Sequence, residues 1–456
     1  MLRVVLCLVL LAFPATAEEP RVPSSAAEIT LSFAPLVKTA APAVVNIYAQ
    51  RIVREQSPFA SDPFFDNFFR DLQARPRVQN SLGSGVILSA DGIVVSNFHV
   101  VGEATDIRVV LNDRREFAAR VLLADEESDL AILQLEGAKD MPFLELRDSD
   151  TIEVGELVLA IGNPFGVGQT VSSGIVSGLA RSGTATGNAR GYFIQTDAPI
   201  NPGNSGGALI DVAGRLIGVN TSILTRSGGS NGIGFAIPSG LVAQFVEQAQ
   251  DGKTRFERPW AGMTGQPVDA QMSDSLGLEI PGGVVIAALH PESPFAKAGL
   301  RVGDVVTEVD RQPVNTPAEM LFRMSVRGIG RAAEVIYVRK GELRLATVDM
   351  ISPPDVPARE TVSLGERTAL PGLQVARINP AVVAELGLAI DTDGVVVLDQ
   401  GPFGDQVGLR TGDVVVGING QRVEAPRDVD RLLRRPGLQQ IEVRRGDRRL
   451  LLRFRA

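Results

Sequence analysis

The run Asn201-Pro202-Gly203-Asn204-Ser205-Gly206-Gly207 sets one serine among glycines, shortly after a strand-like segment, Tyr192-Phe193-Ile194-Gln195. A serine hydroxyl is a weak nucleophile until a base takes its proton. Its oxyanion product needs backbone N–H donors, which a tight glycine loop can aim. The run therefore points to a serine hydrolase. It also fits G-x-S-x-G, the nucleophile elbow that joins a strand to a helix, so two folds compete. The stretch after Ser205 separates them. Ala208-Leu209-Ile210, Asp211-Val212-Ala213-Gly214 and Leu216-Ile217-Gly218-Val219-Asn220 read as strand, turn and strand. An elbow requires a helix there.

The histidines agree. There are two, His99 and His290. A chymotrypsin-like triad runs His, Asp, Ser, and an α/β-hydrolase runs Ser, acid, His. His290 lies in the proline-bracketed turn Leu289-His290-Pro291-Glu292-Ser293-Pro294, the setting of an exposed loop residue. His99 ends an apolar run, Ile93-Val94-Val95-Ser96-Asn97-Phe98-His99, that comes after the hairpin turn Asp91-Gly92. A rigid strand there can hold a base. The acid between them is Asp129, which closes the acidic turn Asp125-Glu126-Glu127-Ser128 and opens the apolar strand Leu130-Ala131-Ile132-Leu133. A carboxylate so placed can fix the tautomer of an imidazole.

With these residues in place the chain resembles the HtrA/Deg family of serine proteases. The matching segments are Gly83-Ser84-Gly85-Val86-Ile87, Ser96-Asn97-Phe98-His99-Val100, Ser128-Asp129-Leu130-Ala131, Ile161-Gly162-Asn163-Pro164-Phe165-Gly166, Gln195 through Gly207, and Gly232-Ile233-Gly234-Phe235-Ala236-Ile237-Pro238. They fall in the family's order, and the resemblance covers nearly the whole mature chain. Ser96 stands where threonine is commoner. The resemblance implies a mainly β chain: a trypsin-like double six-stranded β-barrel followed by two PDZ domains, β-sandwich-like with short helices. It implies His99 as general base, Asp129 as its orienter and Ser205 as nucleophile. The N–H groups of Gly203 and Ser205, with Asn204 between them, are the expected oxyanion donors. In the family this loop can rest with a peptide flipped away, so Gly203–Asn204 is the expected activity switch.

Substrate backbone is expected on the edge Thr221-Ser222-Ile223-Leu224-Thr225, by strand addition. No acidic residue occurs between Asp211 and Glu247, and Pro199 stands six residues before the nucleophile, where trypsin's specificity aspartate would fall. A pocket for lysine or arginine is therefore not expected, and the resemblance implies cleavage after small aliphatic residues.

Beyond the serine region lies an internal repeat. Gly299-Leu300-Arg301-Val302-Gly303-Asp304-Val305-Val306 recurs 109 residues later as Gly408-Leu409-Arg410-Thr411-Gly412-Asp413-Val414-Val415. Gln312-Pro313-Val314 and Gln421-Arg422-Val423 continue it. Two domain-sized copies mean duplication rather than a solenoid. By resemblance each is a PDZ domain, which captures a peptide C-terminus at a sheet edge with loop N–H groups on the carboxylate. The first carboxylate loop is expected at Trp260-Ala261-Gly262-Met263. Packing of the hinge is an equal alternative for Trp260. The second loop is expected at Pro371-Gly372-Leu373-Gln374.

Boundaries can be read along the chain. Residues 1–17 read as a signal peptide, with Arg3, the apolar run Val4–Phe13 and the small-residue pattern Ala15-Thr16-Ala17. Residues 18–80 form an N-terminal segment whose part from about 51 to 80 is rich in phenylalanine (Phe59, Phe64, Phe65, Phe68, Phe69). The protease domain is expected over 81–254, completed by part of the N-terminal segment and closed by a helix that Ser239 opens, the first PDZ domain over 258–352, a proline-stiffened linker over 353–368 and the second PDZ domain over 369–456. Cys7, the single cysteine, leaves with the signal, so the mature chain has neither disulfide nor thiol, and a Cys/His metal site is excluded. Gly252-Lys253-Thr254 is no P-loop, because Glu247 stands where its first glycine should be. No cofactor and no energy source are expected, so substrates must arrive already unfolded or partly so. The mature chain carries 44 basic and 53 acidic residues with no basic cluster of the kind that marks nucleic-acid binding.

The expectation is a periplasmic, ATP-independent serine endopeptidase of misfolded proteins, with added chaperone activity. Its partners are unfolded polypeptides and their C-termini. It has no membrane segment after signal cleavage. The resemblance also implies a trimer-based homo-oligomer, extending to larger cages, with the phenylalanine-rich loop as a regulatory contact. The competing class is a chaperone or PDZ adaptor whose protease site is idle.

Overall fold

The computed structural model describes residues 32–53, 77–102, 104–163, 168–182, 192–201, 203–223, 232–434 and 437–455. The expected signal peptide and the phenylalanine cluster at 59–69 lie outside them. The chain divides into two units. One holds the residues up to Leu179 together with Phe193–Val242, and the other holds Ala180–Tyr192 together with the chain from Ala243 onward.

The first unit contains two closed barrels of six antiparallel strands each. Barrel one is built from β1 (Val44–Val53), β2 (Arg77–Ile87), β3 (Ile93–Ser96), β4 (Asp106–Val110), β5 (Glu116–Asp125) and β6 (Leu130–Leu135), in the order β1-β2-β3-β6-β5-β4, with β4 returning to β1. Barrel two is built from β7 (Leu157–Gly162), β8 (Thr170–Ser182), β9 (Tyr192–Thr196), β10 (Ala208–Asp211), β11 (Leu216–Ile223) and β12 (Gly234–Pro238), in the order β10-β11-β12-β9-β8-β7. Closure pairs every barrel strand with a neighbour on each side over at least part of its length. Each barrel is filled by its own apolar cluster. Val45, Ile47, Ile87, Val94, Val109 and Leu133 belong to the first, and Val158, Val176, Ile194, Leu209 and Ile217 to the second. The short apolar runs between Gly/Asp turns are thus the inward faces of barrel strands.

Two helices matter for the first unit's chemistry and closure. Helix α1 (Phe98–Val101) is a single turn directly after β3. The apolar run was expected to continue as strand to His99. It ends instead at Ser96, and Asn97, with extended backbone at φ −81° and ψ 148°, precedes the turn that carries His99. Helix α2 (Ser239–Gln250) comes after β12, and Ser239 opens it as expected. The Ser239 hydroxyl donates to the carbonyl of Arg147 at 2.5 Å, so it ties the helix start to that loop.

The second unit contains two related sheets. The first comprises β13 (Met263–Pro267), β14 (Val284–Leu289), β15 (Val305–Val309), β16 (Gln312–Pro313), β17 (Ala332–Arg339) and β18 (Glu342–Asp349), in the order β13-β14-β15-β17-β18 with β16 on β15. The second comprises β19 (Val362–Ser363), β20 (Gln374–Arg377), β21 (Val395–Asp399), β22 (Val414–Ile418), β23 (Gln421–Arg422), β24 (Leu438–Arg445) and β25 (Arg448–Arg455), in the order β19-β20-β21-β22-β24-β25 with β23 on β22. Helix α3 (Pro317–Arg327) belongs to the first copy and helix α4 (Pro426–Leu432) to the second.

The repeated Gly-Leu-Arg-x-Gly-Asp stretch has one job in both copies. Asp304 is 2% exposed in its side chain and accepts from the Arg301 N–H at 2.7 Å. Arg339 meets it with two parallel bonds, Nε and Nη2 each at 2.7 Å, and its Nη2 also reaches the Gly299 carbonyl at 2.8 Å. Asp413, Arg410, Arg445 and Gly408 repeat this arrangement at 2.7 to 2.9 Å. A buried carboxylate is tolerable only when paired and hydrogen-bonded, and the planar guanidinium does both at once.

Candidate active site

Residues far apart in sequence meet between the barrels of the first unit. The His99 ring lies with Nδ1 at 2.9 Å from each carboxylate oxygen of Asp129. A carboxylate only accepts, so Nδ1 carries the proton and Nε2 is left as the basic nitrogen. The His99 backbone N–H also donates to Asp129 Oδ1, at 3.0 Å. Two further residues hold the aspartate. Thr221 Oγ1 donates to Asp129 Oδ2 at 2.6 Å, and Asn97 Nδ2 donates to the Asp129 carbonyl at 2.9 Å. Asp129 itself has φ 52°, a left-handed backbone that costs a non-glycine residue energy and persists where surrounding bonds enforce it. The aspartate side chain is 22% exposed and the imidazole 52%, so the base faces solvent while its orienter is sheltered.

Ser205 sits at the start of the glycine-flanked turn. Its hydroxyl donates to the Thr221 carbonyl at 2.9 Å and forms no bond to His99 among the described residues. Thr221 therefore touches two members of the expected triad, one through its side chain and one through its backbone.

The loop around Ser205 is fixed by bonds to both barrels. Gly203 has φ 97° and Gly206 φ 83°. A Cβ on Gly206 would lie 2.1 Å from the Ser84 carbonyl oxygen, so no larger residue fits. The Gly206 N–H donates to the Asn220 carbonyl and the Ser84 N–H to the Ser205 carbonyl, at 2.8 and 2.9 Å. The Ser84 hydroxyl donates to the Gly203 carbonyl at 2.7 Å and accepts from the Asn163 N–H at 2.8 Å. Thr170 Oγ1 donates to Asn204 Oδ1 at 3.0 Å. The N–H groups of Gly203 and Ser205 donate to nothing among the described residues, so two donors are free beside the hydroxyl. Sequence reasoning missed Ser84. Its position in Gly83-Ser84-Gly85 was visible, but its partners lie 79 and 119 residues away.

Of the expected substrate strand, Thr221, Ser222 and Ile223 form the end of β11, and Leu224 and Thr225 lie outside the described residues. Strand β10 pairs with β11 only as far as Val219. Past that point the β10-side edge of β11 has no strand partner among the described residues.

The expected first carboxylate loop precedes β13. Trp260 is buried, its N–H donates to the Ile351 carbonyl at 2.8 Å, and its ring meets His290 edge-on at 5.5 Å. The N–H groups of Ala261 and Gly262 donate to nothing among the described residues. In the expected second loop the donors are spent: Gly372 N–H goes to the Leu364 carbonyl at 2.9 Å and Leu373 N–H to the Leu370 carbonyl at 3.3 Å.

Comparison with known proteins gives two family matches and a set of relatives. Residues 83–219 match the trypsin-like peptidase domain family and residues 250–350 the PDZ domain family. A probable periplasmic serine endoprotease DegP-like of Halomonas elongata is 38% identical over 431 residues, covering 90% of this chain and 89% of that protein. The periplasmic pH-dependent serine endoprotease DegQ of Escherichia coli is 35% identical over 430 residues, covering 93% and 91%. Among solved structures, the HtrA-type protease AlgW with decapeptide matches with a TM-score of 0.52 and 39% identity, covering 71% of this chain and 99% of that one.

Proposed function

The chain belongs to the HtrA/Deg family of serine endoproteases, and from that premise we propose that it degrades unfolded proteins in the periplasm with Ser205 as nucleophile, His99 as general base and Asp129 as the group that orients His99. The observation that carries the reading is the double approach of Asp129 to His99 Nδ1, which leaves Nε2 free to accept a proton. Periplasmic location rests on the printed names of the relatives, and the leader-like residues 1–17 agree with export.

Catalysis begins with a movement of Ser205. At rest its hydroxyl is held by the Thr221 carbonyl. A substrate strand added along the edge of Thr221–Ile223 brings its own N–H to that carbonyl and releases the hydroxyl toward His99. Nε2 takes the proton as Oγ attacks the scissile carbonyl carbon. The oxyanion is received by the free N–H groups of Gly203 and Ser205. His99 then gives its proton to the leaving amine, and an acyl-enzyme remains on Ser205. Water, deprotonated by the same Nε2, hydrolyses the ester and restores the hydroxyl.

The first PDZ domain takes substrate C-termini. Its free donors at Ala261 and Gly262, beside the open edge of β13, support this role. A trimer-based assembly and an added chaperone activity complete the reading and rest on the family resemblance. Labelling with a fluorophosphonate probe tests the assignment of the nucleophile. The label is expected on the peptide containing Ser205 and on none in His99→Ala. Equal labelling of a Ser205→Ala chain would refute it.

A further inference from the structure

The two copies of the repeat differ at one sheet edge. In the first, β13 is outermost, and no strand pairs with its free edge among the described residues. In the second, the corresponding strand β20 has an additional neighbour, β19, drawn from the stretch that reads as linker. The pairing is antiparallel, with Val362 opposite Val375 and Ser363 opposite Gln374. It runs one residue further through backbone bonds. Leu364 N–H donates to the Leu373 carbonyl and Gly372 N–H donates to the Leu364 carbonyl, both at 2.9 Å. The Leu364 side chain is 3% exposed and belongs to an apolar cluster with Leu370 and Leu373 of the loop and Val429, Leu432 and Leu433 at helix α4. That helix packs on β19 as well as on β20.

These are the three contacts by which a PDZ groove grips a peptide end: a strand added at the edge, a loop N–H on the terminal carbonyl oxygen, and the last side chain in an apolar pocket. We propose that Val362-Ser363-Leu364 is an internal ligand of the second PDZ domain. Leu364 takes the place of a C-terminal residue, and its carbonyl oxygen takes the place of one carboxylate oxygen on Gly372. The groove is thus a site for peptides with an apolar last residue and an apolar residue two before it, and the chain already fills it.

The filling is hard to reverse from outside. The segment is joined to its loop through Gly365–Pro371, so its effective concentration is on the order of millimolar or above. A free peptide at micromolar concentration does not displace it. The exchange has one driving force in favour of an external peptide: a carboxylate makes charge-assisted bonds where the Leu364 carbonyl makes a neutral one. At working concentrations, peptide ends therefore enter the first PDZ domain alone. This last step rests on the reading of the first groove as a C-terminus receptor.

The test titrates a decapeptide ending in Val-Ser-Leu with a free carboxylate into the full-length Ser205→Ala chain by calorimetry. One site per chain is expected, and a second appears in Leu364→Ser, whose second domain is checked for folding by its melting transition. Two sites in the chain with Leu364 intact, or no second site in a folded Leu364→Ser chain, overturns the proposal. Amide hydrogen exchange on the unsubstituted chain gives an independent reading. The Leu364 and Gly372 amides should exchange at least about a hundredfold more slowly than an open loop. Exchange at loop rates overturns the internal ligand whatever the peptide does. Failure of the peptide to bind at all, with both amides protected, sinks the C-terminus reading of the first groove and leaves the internal ligand supported.

Discussion

Removing one hydroxyl from Ser84 should slow the enzyme without touching any group that meets substrate. Ser84 is fully buried, and its Oγ bridges the Gly203 carbonyl and the Asn163 N–H at 2.7 and 2.8 Å. In Ser84→Ala both partners lose a bond. A buried polar group left unpaired costs about 1–3 kcal/mol, so the two together cost about 2–6 kcal/mol if nothing moves. The loop can escape part of that cost by turning the Gly203 carbonyl toward water, and this turn carries the Gly203–Asn204 peptide with it. A bias of about 2.7 kcal/mol away from the competent loop is a factor of about 100 in its population. That equals the low end of what loss of one oxyanion donor costs in kcat, about 10²–10³. The expected result is a kcat lower by about 10- to 100-fold with KM within about twofold, measured on a chromogenic peptide under single-turnover conditions. Melting is measured on the same samples. If kcat is unchanged while the melting temperature falls by the equivalent of the full cost of about 2–6 kcal/mol, Ser84 supports the barrel and does not set the oxyanion loop.

Three other outcomes are expected. Thr221→Val removes the 2.6 Å donor to Asp129 while keeping the backbone carbonyl; kcat should fall by about tenfold, the worth of one charge-assisted bond of about 1.5 kcal/mol, with melting little changed. Asp413→Ala leaves Arg445 half-sheltered without its bidentate partner, and the second PDZ domain should lose about 3–5 kcal/mol, read as an early separate unfolding step in denaturant. Glu156 is the pH-dependent case. Arg147 bonds both its oxygens, at 2.5 and 2.9 Å, and holds the carboxyl below the usual glutamate range. A lowered folded-state value means stability that is present above the unfolded value of about 4.3 and is lost as the pH falls through the folded one. Glu156→Gln should therefore destabilise the barrel domain by about 2 kcal/mol at pH 7, with the gap to the unsubstituted chain closing below about pH 4, measured by urea unfolding across pH. A gap that stays constant down to about pH 3 would contradict the pairing.

The part of this molecule that could be read from sequence is the part fixed by local pattern. The hairpin after Ser205 decided the fold because a turn and two apolar runs leave no room for a helix. The chain order of His99, Asp129 and Ser205 then agreed with it. His99 itself lies in the turn past the strand: β3 ends at Ser96, and the Asn97 side chain between them bonds the Asp129 carbonyl. Ser84 could not be read, since nothing in Gly83-Ser84-Gly85 encodes partners in two other loops. The repeat was visible through its Gly-Asp turns, but not the arginine that completes each turn. It lies 35 residues past Asp304 and 32 past Asp413, so the repeat spacing does not carry it across. Strand β19 was equally hidden, since two residues beside a proline-rich stretch hold no periodicity and its pairing depends on a groove that only the folded second copy provides.

Cleavage of an unfolded protein by the full-length enzyme and by Ser205→Ala, measured as initial rates at neutral pH, bears on everything proposed for the site. Loss of the nucleophile should lower kcat by on the order of 10⁶, with both proteins folded and of the same size in solution. Equal rates in the two would mean that the hydroxyl held by Thr221 is not the attacking group, and that the chemistry lies elsewhere in the chain.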